Sequence, residues 1–172
     1  MALNTTEQNG RGGKRTYLSI NHGKVIKSNV NGSKEVFSSV DGTLETIYSK
    51  KSVFGSEEVV RWFIDLRDGE ELYSLCLPYA SGTFKSIILA LASDQSLSPS
   101  SMVRIEPYEG SNGYTKIKVW SDGAKLDWIT KQLPEVPTRT IGGKTIKDDS
   151  KRMEYIISLV NTINKRLNRR EN

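Results

Sequence analysis

The stretch Tyr114-Thr-Lys-Ile-Lys-Val-Trp120 combines residue types with an evident chemical use. Read as a strand, it sends Tyr114, Lys116, Lys118 and Trp120 to one face and Thr115, Ile117 and Val119 to the other. The second face is apolar enough to bury. The first offers two flat rings and two ammonium groups at ~7 Å spacing, which suits unpaired bases and their phosphates. Stacking on such rings contributes ~1–3 kcal/mol per base. The same composition also describes a solvated face on which aromatics pack under lysine stems. Arg61 and Phe63 repeat the pattern on a smaller scale. Lys14-Arg15 and Lys50-Lys51 are paired basics at strand or loop edges, suited to tracking phosphates or to keeping a surface soluble. Trp128, near Lys125 and Lys131, is either a stacking platform or a tryptophan that lids the core.

Other constellations carry less. Tyr79, Ser81-Gly82 and Phe84 mark a strand-to-helix turn, where a helix N-terminus is able to receive an anion, although a plain cap by Ser81 accounts for the same residues. Gly142-Gly143-Lys144 lacks the spacing of a phosphate-binding loop. Glu57-Glu58 and the group Asp65, Asp68, Glu70 and Glu71 would serve a metal-dependent nuclease, but turns collect acids. One histidine, His22, and one cysteine, Cys76, argue against a zinc site, a disulfide framework and most nucleophile–histidine chemistry. His22 sits beside a turn glycine and Cys76 in an apolar strand. No enzymatic activity and no cofactor is expected.

The elements that must position these residues are mostly strands. Thr16–Ile20 and Lys24–Ser28 flank the turn at Asn21-His22-Gly23, and Asn31-Gly32 marks another turn. Glu35–Val40 and Leu44–Lys50 read as strands joined by a turn at Asp41-Gly42. Val59–Leu66 alternates, with Val60, Trp62, Ile64 and Leu66 opposite Val59, Arg61, Phe63 and Asp65. Asp68-Gly69 closes the next turn, and Tyr73, Leu75, Leu77 and Tyr79 share a face in the following strand. Ser81 caps a helix over Thr83–Ala92, whose Phe84, Ile87, Ile88 and Leu91 fall at helical spacing. Met102–Glu106 and Tyr114–Trp120 are the last clear strands, and Lys125–Thr140 is irregular. A C-terminal helix, capped by Asp148, Asp149 or Ser150, carries the apolar stripe Met153, Ile156, Ile157, Val160, Ile163 and Leu167. Lys165, Arg166, Arg169 and Arg170 close it, where cations suit the dipole.

With 172 residues, 36% hydrophobic and 26% charged, the chain is long enough for one core and too apolar for wholesale disorder. Its longest apolar run, Ile87–Ala92, is far short of a bilayer span. The polar start, residues 1–13, resembles no secretory signal. A cytoplasmic setting is expected. The net charge of +5 is uneven, at +1 for residues 1–143 and +4 for residues 144–172. The expected fold class is mainly β: an OB-fold-like β-barrel with one internal helix and an amphipathic C-terminal helix. The expected divisions are a flexible arm at 1–13, the barrel at 14–140 and the C-terminal helix with its basic end at 141–172.

The chain resembles phage-encoded single-stranded DNA-binding proteins with an OB-type barrel. The residues that carry the likeness are Tyr17-Leu-Ser-Ile-Asn-His-Gly-Lys24, Asp41-Gly-Thr-Leu-Glu-Thr-Ile47, the block Trp62–Ser93, Met102–Tyr108 and Gly113–Trp120. Together they span roughly residues 16–130. The resemblance implies non-catalytic coating of exposed single strands during replication and recombination, in a phage's host cytoplasm. Many such proteins end in an acidic tip that recruits partners. This chain ends Asn-Lys-Arg-Leu-Asn-Arg-Arg-Glu-Asn172, which is basic, so recruitment of that kind is not expected.

The resulting expectation is a sequence-tolerant binder of single-stranded DNA, with RNA left open. Tyr114, Trp120 and Phe63 would stack on bases, while Arg61, Lys116, Lys118, Lys50 and Lys51 neutralise phosphates. A homo-oligomer or a replication protein would engage the C-terminal helix, and no membrane is involved. The alternative is a protein-interaction or virion accessory module that works through that helix.

Overall fold

A computed structural model describes residues 14–128 and 133–168. The strands are β1 (Lys14–Asn21), β2 (Lys24–Ser28), β3 (Lys34–Phe37), β4 (Val40–Phe54), β5 (Glu57–Asp68), β6 (Glu71–Pro78), β7 (Met102–Glu109), β8 (Thr115–Ser121) and β9 (Ala124–Lys125). They form a single sheet in the order β3-β2-β1-β6-β5-β4-β7-β8-β9. All neighbours are antiparallel except β1 and β6. A separate hairpin pairs β10 (Thr138–Ile141) with β11 (Lys144–Lys147). Two helices, α1 (Gly82–Ser93) and α2 (Ser150–Leu167), complete the chain. The fold is therefore mainly β with one internal and one C-terminal helix.

The alternation expected for Val59–Leu66 holds. Trp62, Ile64 and Leu66 are buried on the inner face, with Leu44, Ile47, Leu75, Leu77, Val103, Ile105, Ile117 and Val119 from neighbouring strands. The helices cover this face. Ser81 Oγ accepts the Phe84 N–H at 3.0 Å and so caps α1. Phe84 then stacks on Trp62 at 4.6 Å, and Tyr79 stacks on the same indole at 5.9 Å. Phe84, Ile87, Ile88 and Leu91 are all buried. The apolar stripe of α2 is buried too, at Met153, Ile156, Val160, Ile163 and Leu167.

Polar contacts fix how α2 sits. The Asn164 side-chain amide donates to the Ile47 carbonyl at 2.9 Å and accepts the Ile47 N–H at 3.1 Å. It thus satisfies β4 beyond Thr43, where the ladder to β7 has stopped. Arg166 donates to the carbonyls of Ala92 and Asp94 at the end of α1. Lys85 pairs with Asp149 at 3.1 Å.

The sheet is not closed into a barrel, which corrects the expected OB-like closure; β3 and β9 are its edges. Its two halves meet through a turn instead of a ladder. Gly23, at φ +72, donates its N–H to Thr115 Oγ1 at 3.1 Å, and a Cβ there would lie 2.7 Å from the Glu109 nitrogen. Only glycine fits that turn and that contact.

Asp41-Gly42 is also not a turn: β4 runs straight through it. Gly42 packs against β5, where a Cβ would lie 2.8 Å from the Arg67 carbonyl oxygen. Asp41 pairs with Arg104 of β7, and pairing with β7 from Val40 to Thr43 overrides the local turn preference. Likewise Lys50-Lys51 lies inside β4, which continues to Phe54. From Lys50 to Phe54 and from Glu57 to Arg61, β4 and β5 project as an exposed two-stranded ribbon.

Candidate nucleic-acid interface

The outer face of the sheet, opposite the helices, carries an aromatic and cationic platform over β1, β6, β5 and β4. Phe63 is its centre. Across the ladder it opposes Tyr48 on one side and Cys76 on the other. The Phe63 and Tyr48 rings stack at 5.3 Å with 13° between planes, and Tyr17 meets Phe63 edge-on at 6.3 Å. Tyr17 is 49% exposed, and Tyr48 and Phe63 are half-buried. Cys76 is half-buried beside them; burial pushes its thiol pKa up, with Arg61 opposing, so it stays a neutral part of the surface.

Three cations rim these rings. Lys50 Nζ lies 5.6 Å from the Phe63 centroid and 5.8 Å from that of Tyr48. The Arg15 guanidinium is 6.0 Å from Tyr17, and that of Arg61 is 5.9 Å from Phe54. Arg15 is anchored as well as charged: it donates to Ser74 Oγ at 2.7 Å, Tyr48 Oη at 3.1 Å and Asp65 Oδ2 at 3.3 Å. Ser74 Oγ donates in turn to Asp65 Oδ1 at 2.6 Å. Asp65 is 3% exposed, so this buried carboxylate holds Arg15, and Arg15 holds Tyr48. The expected free phosphate contact at Lys14-Arg15 is, for Arg15, a fixed strut.

Lys50 and Arg61 are direct ladder partners. Both are exposed, and neither forms an ion pair among the described residues. Like charges facing each other across a strand pair are destabilising. Elsewhere on this face Arg67 pairs with Glu45, and Arg104 with Asp41 through two contacts of 3.1 Å, whereas Lys116 and Lys118 of β8 form no ion pair among the described residues. The uncompensated positive charge of this face thus falls in two places, beside the rings and on β8.

Of the residues singled out from sequence, Lys50, Arg61 and Phe63 meet on this platform. Lys51 does not: it points to the opposite side of the ribbon and lies 4.0 Å from Glu58. Lys116, Lys118 and Trp120 share the outer face of β8, as the alternation implies, while Ile117 and Val119 are buried beneath. Tyr114 lies off the strand, in the loop before it, and is 72% exposed. Lys116 lays its stem over Gly110, and Lys118 sits 5.0 Å above Tyr108. Trp128 lines a 260 Å³ depression with Tyr108, Lys118 and Lys125. This second group is separated from the platform by β7 and the start of β4. Lys131, Arg169, Arg170 and residues 1–13 lie outside the described residues.

Tyr17 and Tyr48, which complete the platform, are not marked by any local pattern in the sequence: strand order brings Tyr17 to Phe63, and an irregular register in β4 brings Tyr48 there. The acids considered for a nuclease do not converge. Asp65 is engaged by Arg15 and Ser74 on the outer face, whereas Asp68 and Glu71 line the inner one. Among the described residues no group of three or more His, Cys, Asp or Glu could hold a metal ion, and no helix is long and apolar enough to cross a membrane.

No family model, curated protein or solved structure matches this chain.

Proposed function

We propose that this protein binds single-stranded DNA without catalysis, on the outer sheet face built from Tyr17, Tyr48, Phe63, Arg15, Lys50 and Arg61. The observation that carries the reading is the facing pair Lys50 and Arg61 beside three contiguous rings. A strand of phosphates relieves the repulsion of the cations, and its bases find π-faces within one or two strand spacings. The ribbon beyond Lys50 and Arg61, with Phe54 58% exposed, extends the same surface. The β8 group, with Lys118, Trp120 and Tyr108, provides further contacts for a longer strand. The resemblance to phage single-stranded DNA-binding proteins points the same way and suggests a role in replication and recombination.

The competing reading, an interaction module acting through the C-terminal helix, needs that helix to present its apolar stripe. Met153, Ile156, Val160, Ile163 and Leu167 instead sit in the core, so such a partner is left with the polar face.

The deciding experiment is a titration of the protein with fluorescently labelled oligo(dT), and with a duplex of equal length, at low and at physiological salt. The reading requires preference for the single strand and a log affinity that falls linearly with log salt. Equal affinity for duplex and single strand, or indifference to salt, would refute it.

A further inference from the structure

The other end of β5 mirrors the first with opposite charge. Asp68 and Glu71 are direct ladder partners across the β5–β6 turn, and neither forms an ion pair with a described side chain. Two carboxylates so placed repel each other, as Lys50 and Arg61 do.

They open onto a cavity of about 370 Å³ on the inner side of the curled sheet, between β1, β2, β3, the start of β4 and β6. Leu18, Val25 and Val40 form an apolar, buried floor, and Phe37, 43% exposed, forms a lip. Thr16 lines the wall. It is only 6% exposed, yet its hydroxyl makes no hydrogen bond with a described residue. The charged groups around the mouth are Asp41, Asp68 and Glu71 against Lys27; Asp41 is paired with Arg104 and Lys27 lies 3.6 Å from Glu35, which leaves Asp68 and Glu71 as the unpaired carboxylates. Tyr73, also on the wall, has its phenol pKa raised by burial and by the charges of Glu71 and Asp68, as expected in a negative field.

We propose that this cavity receives a lysine or arginine side chain of a protein segment, with the aliphatic stem on Leu18, Val25 and Val40 and the cation between Asp68 and Glu71. Each part of the site selects for one part of that ligand. The apolar floor rejects a bare ion, which would lose its hydration against hydrocarbon. The carboxylates reject phosphates, so the nucleic acid on the outer face does not compete. Thr16 supplies an acceptor for one more N–H. The volume falls at the lower end of the range for small-ligand pockets, about 300–1,000 Å³.

The test uses the full-length ¹⁵N-labelled chain and amide chemical shifts. The probes are the peptide acetyl-Gly-Leu-Arg-Leu-Gly-amide, the same peptide with neutral citrulline for arginine, and free butylguanidinium. The arginine peptide is expected to shift the amides of Thr16, Val25 and Tyr73, and the citrulline peptide to bind at least about tenfold more weakly. The double variant D68N/E71Q should lose the response while its oligo(dT) affinity stays unchanged, which separates this site from the outer face. Absence of shifts at millimolar peptide, or equal binding of the citrulline peptide, overturns the site. Tighter binding of butylguanidinium than of the arginine peptide overturns the assignment to a protein segment.

Discussion

Tyr48 stacks on Phe63 because Glu45 is an extra residue in its strand. The β4–β5 ladder pairs Leu44 with Leu66 and then Thr46 with Asp65, so Glu45 bulges out. Counting by two from the buried Leu44 would send Tyr48 and Lys50 inward and Lys51 outward. The bulge reverses the phase. It brings Tyr48 and Lys50 to the outer face beside Phe63, and it turns Lys51 away.

Removing the central ring tests the platform. Phe63→Ala is expected to weaken oligo(dT) binding by roughly 1–3 kcal/mol, about 5- to 150-fold, the range for loss of one stacking surface. Fluorescence anisotropy of a labelled oligonucleotide measures it, with far-UV circular dichroism to verify the fold. Trp120→Phe keeps a ring on β8 and is expected to cost less than about fivefold. An unchanged affinity for Phe63→Ala would move binding away from this face.

Charge reversal at the facing pair should separate stability from function. Lys50→Glu places a carboxylate opposite Arg61 and replaces repulsion with attraction, a gain of about 0.2–1 kcal/mol for an exposed pair. A thermal melt should therefore move upward while oligo(dT) affinity falls. Loss of a phosphate contact should also reduce the slope of log affinity against log salt by about 1. A variant that melts earlier or binds as before would contradict this account.

Asp65 is expected to matter to both. Asp65→Asn removes the buried charge that faces Arg15 and weakens its contacts with Ser74 and Arg15. Breaking such a buried, hydrogen-bonded partner costs about 1–3 kcal/mol, read as a lower urea midpoint. Tyr48 loses its fixed donor, so binding should weaken as well. Ser74→Ala, which removes one hydroxyl and leaves the charge pair, should show the smaller effect in both measurements.

Acid should loosen the junction between the β10–β11 hairpin and α2. Asp148 accepts from the Ser150 hydroxyl at 2.7 Å and the Ser150 N–H at 3.1 Å, and from Arg139 at 2.8 Å. These bonds, the Ser150 hydroxyl first, lower its pKa from 3.8 to about 2. A carboxylate with a lowered folded pKa stabilises fully above its unfolded value and loses that contribution as pH falls through the folded one. The amide signals of Ser150 and Arg139 should accordingly shift between about pH 4 and pH 2, with a midpoint near the lower value. Asp148→Asn should abolish this titration. A midpoint near 4 would show that the three bonds do not form in solution.

Much of the architecture is written in local pattern. The alternation at Val59–Leu66, the helical spacing of Phe84, Ile87, Ile88 and Leu91, and the stripe from Met153 to Leu167 each identify an element and its buried face, because burial of apolar side chains follows the period of the backbone. The outward direction of Lys116, Lys118, Trp120, Arg61 and Phe63 follows from the same rule. What required the folded chain are the relations between strands. Pairing with β7 made Asp41-Gly42 part of β4, and an inserted Glu45 shifted the count that would have located Tyr48. The order β1-β6-β5-β4 put Tyr17, Phe63 and Tyr48 side by side although 46 positions separate Tyr17 from Phe63 in sequence. Period is a property of neighbours along the chain, whereas register and strand order are set by which long-range pairings bury the most surface. For that reason the residues of the platform were visible singly in the sequence and became a surface only in three dimensions.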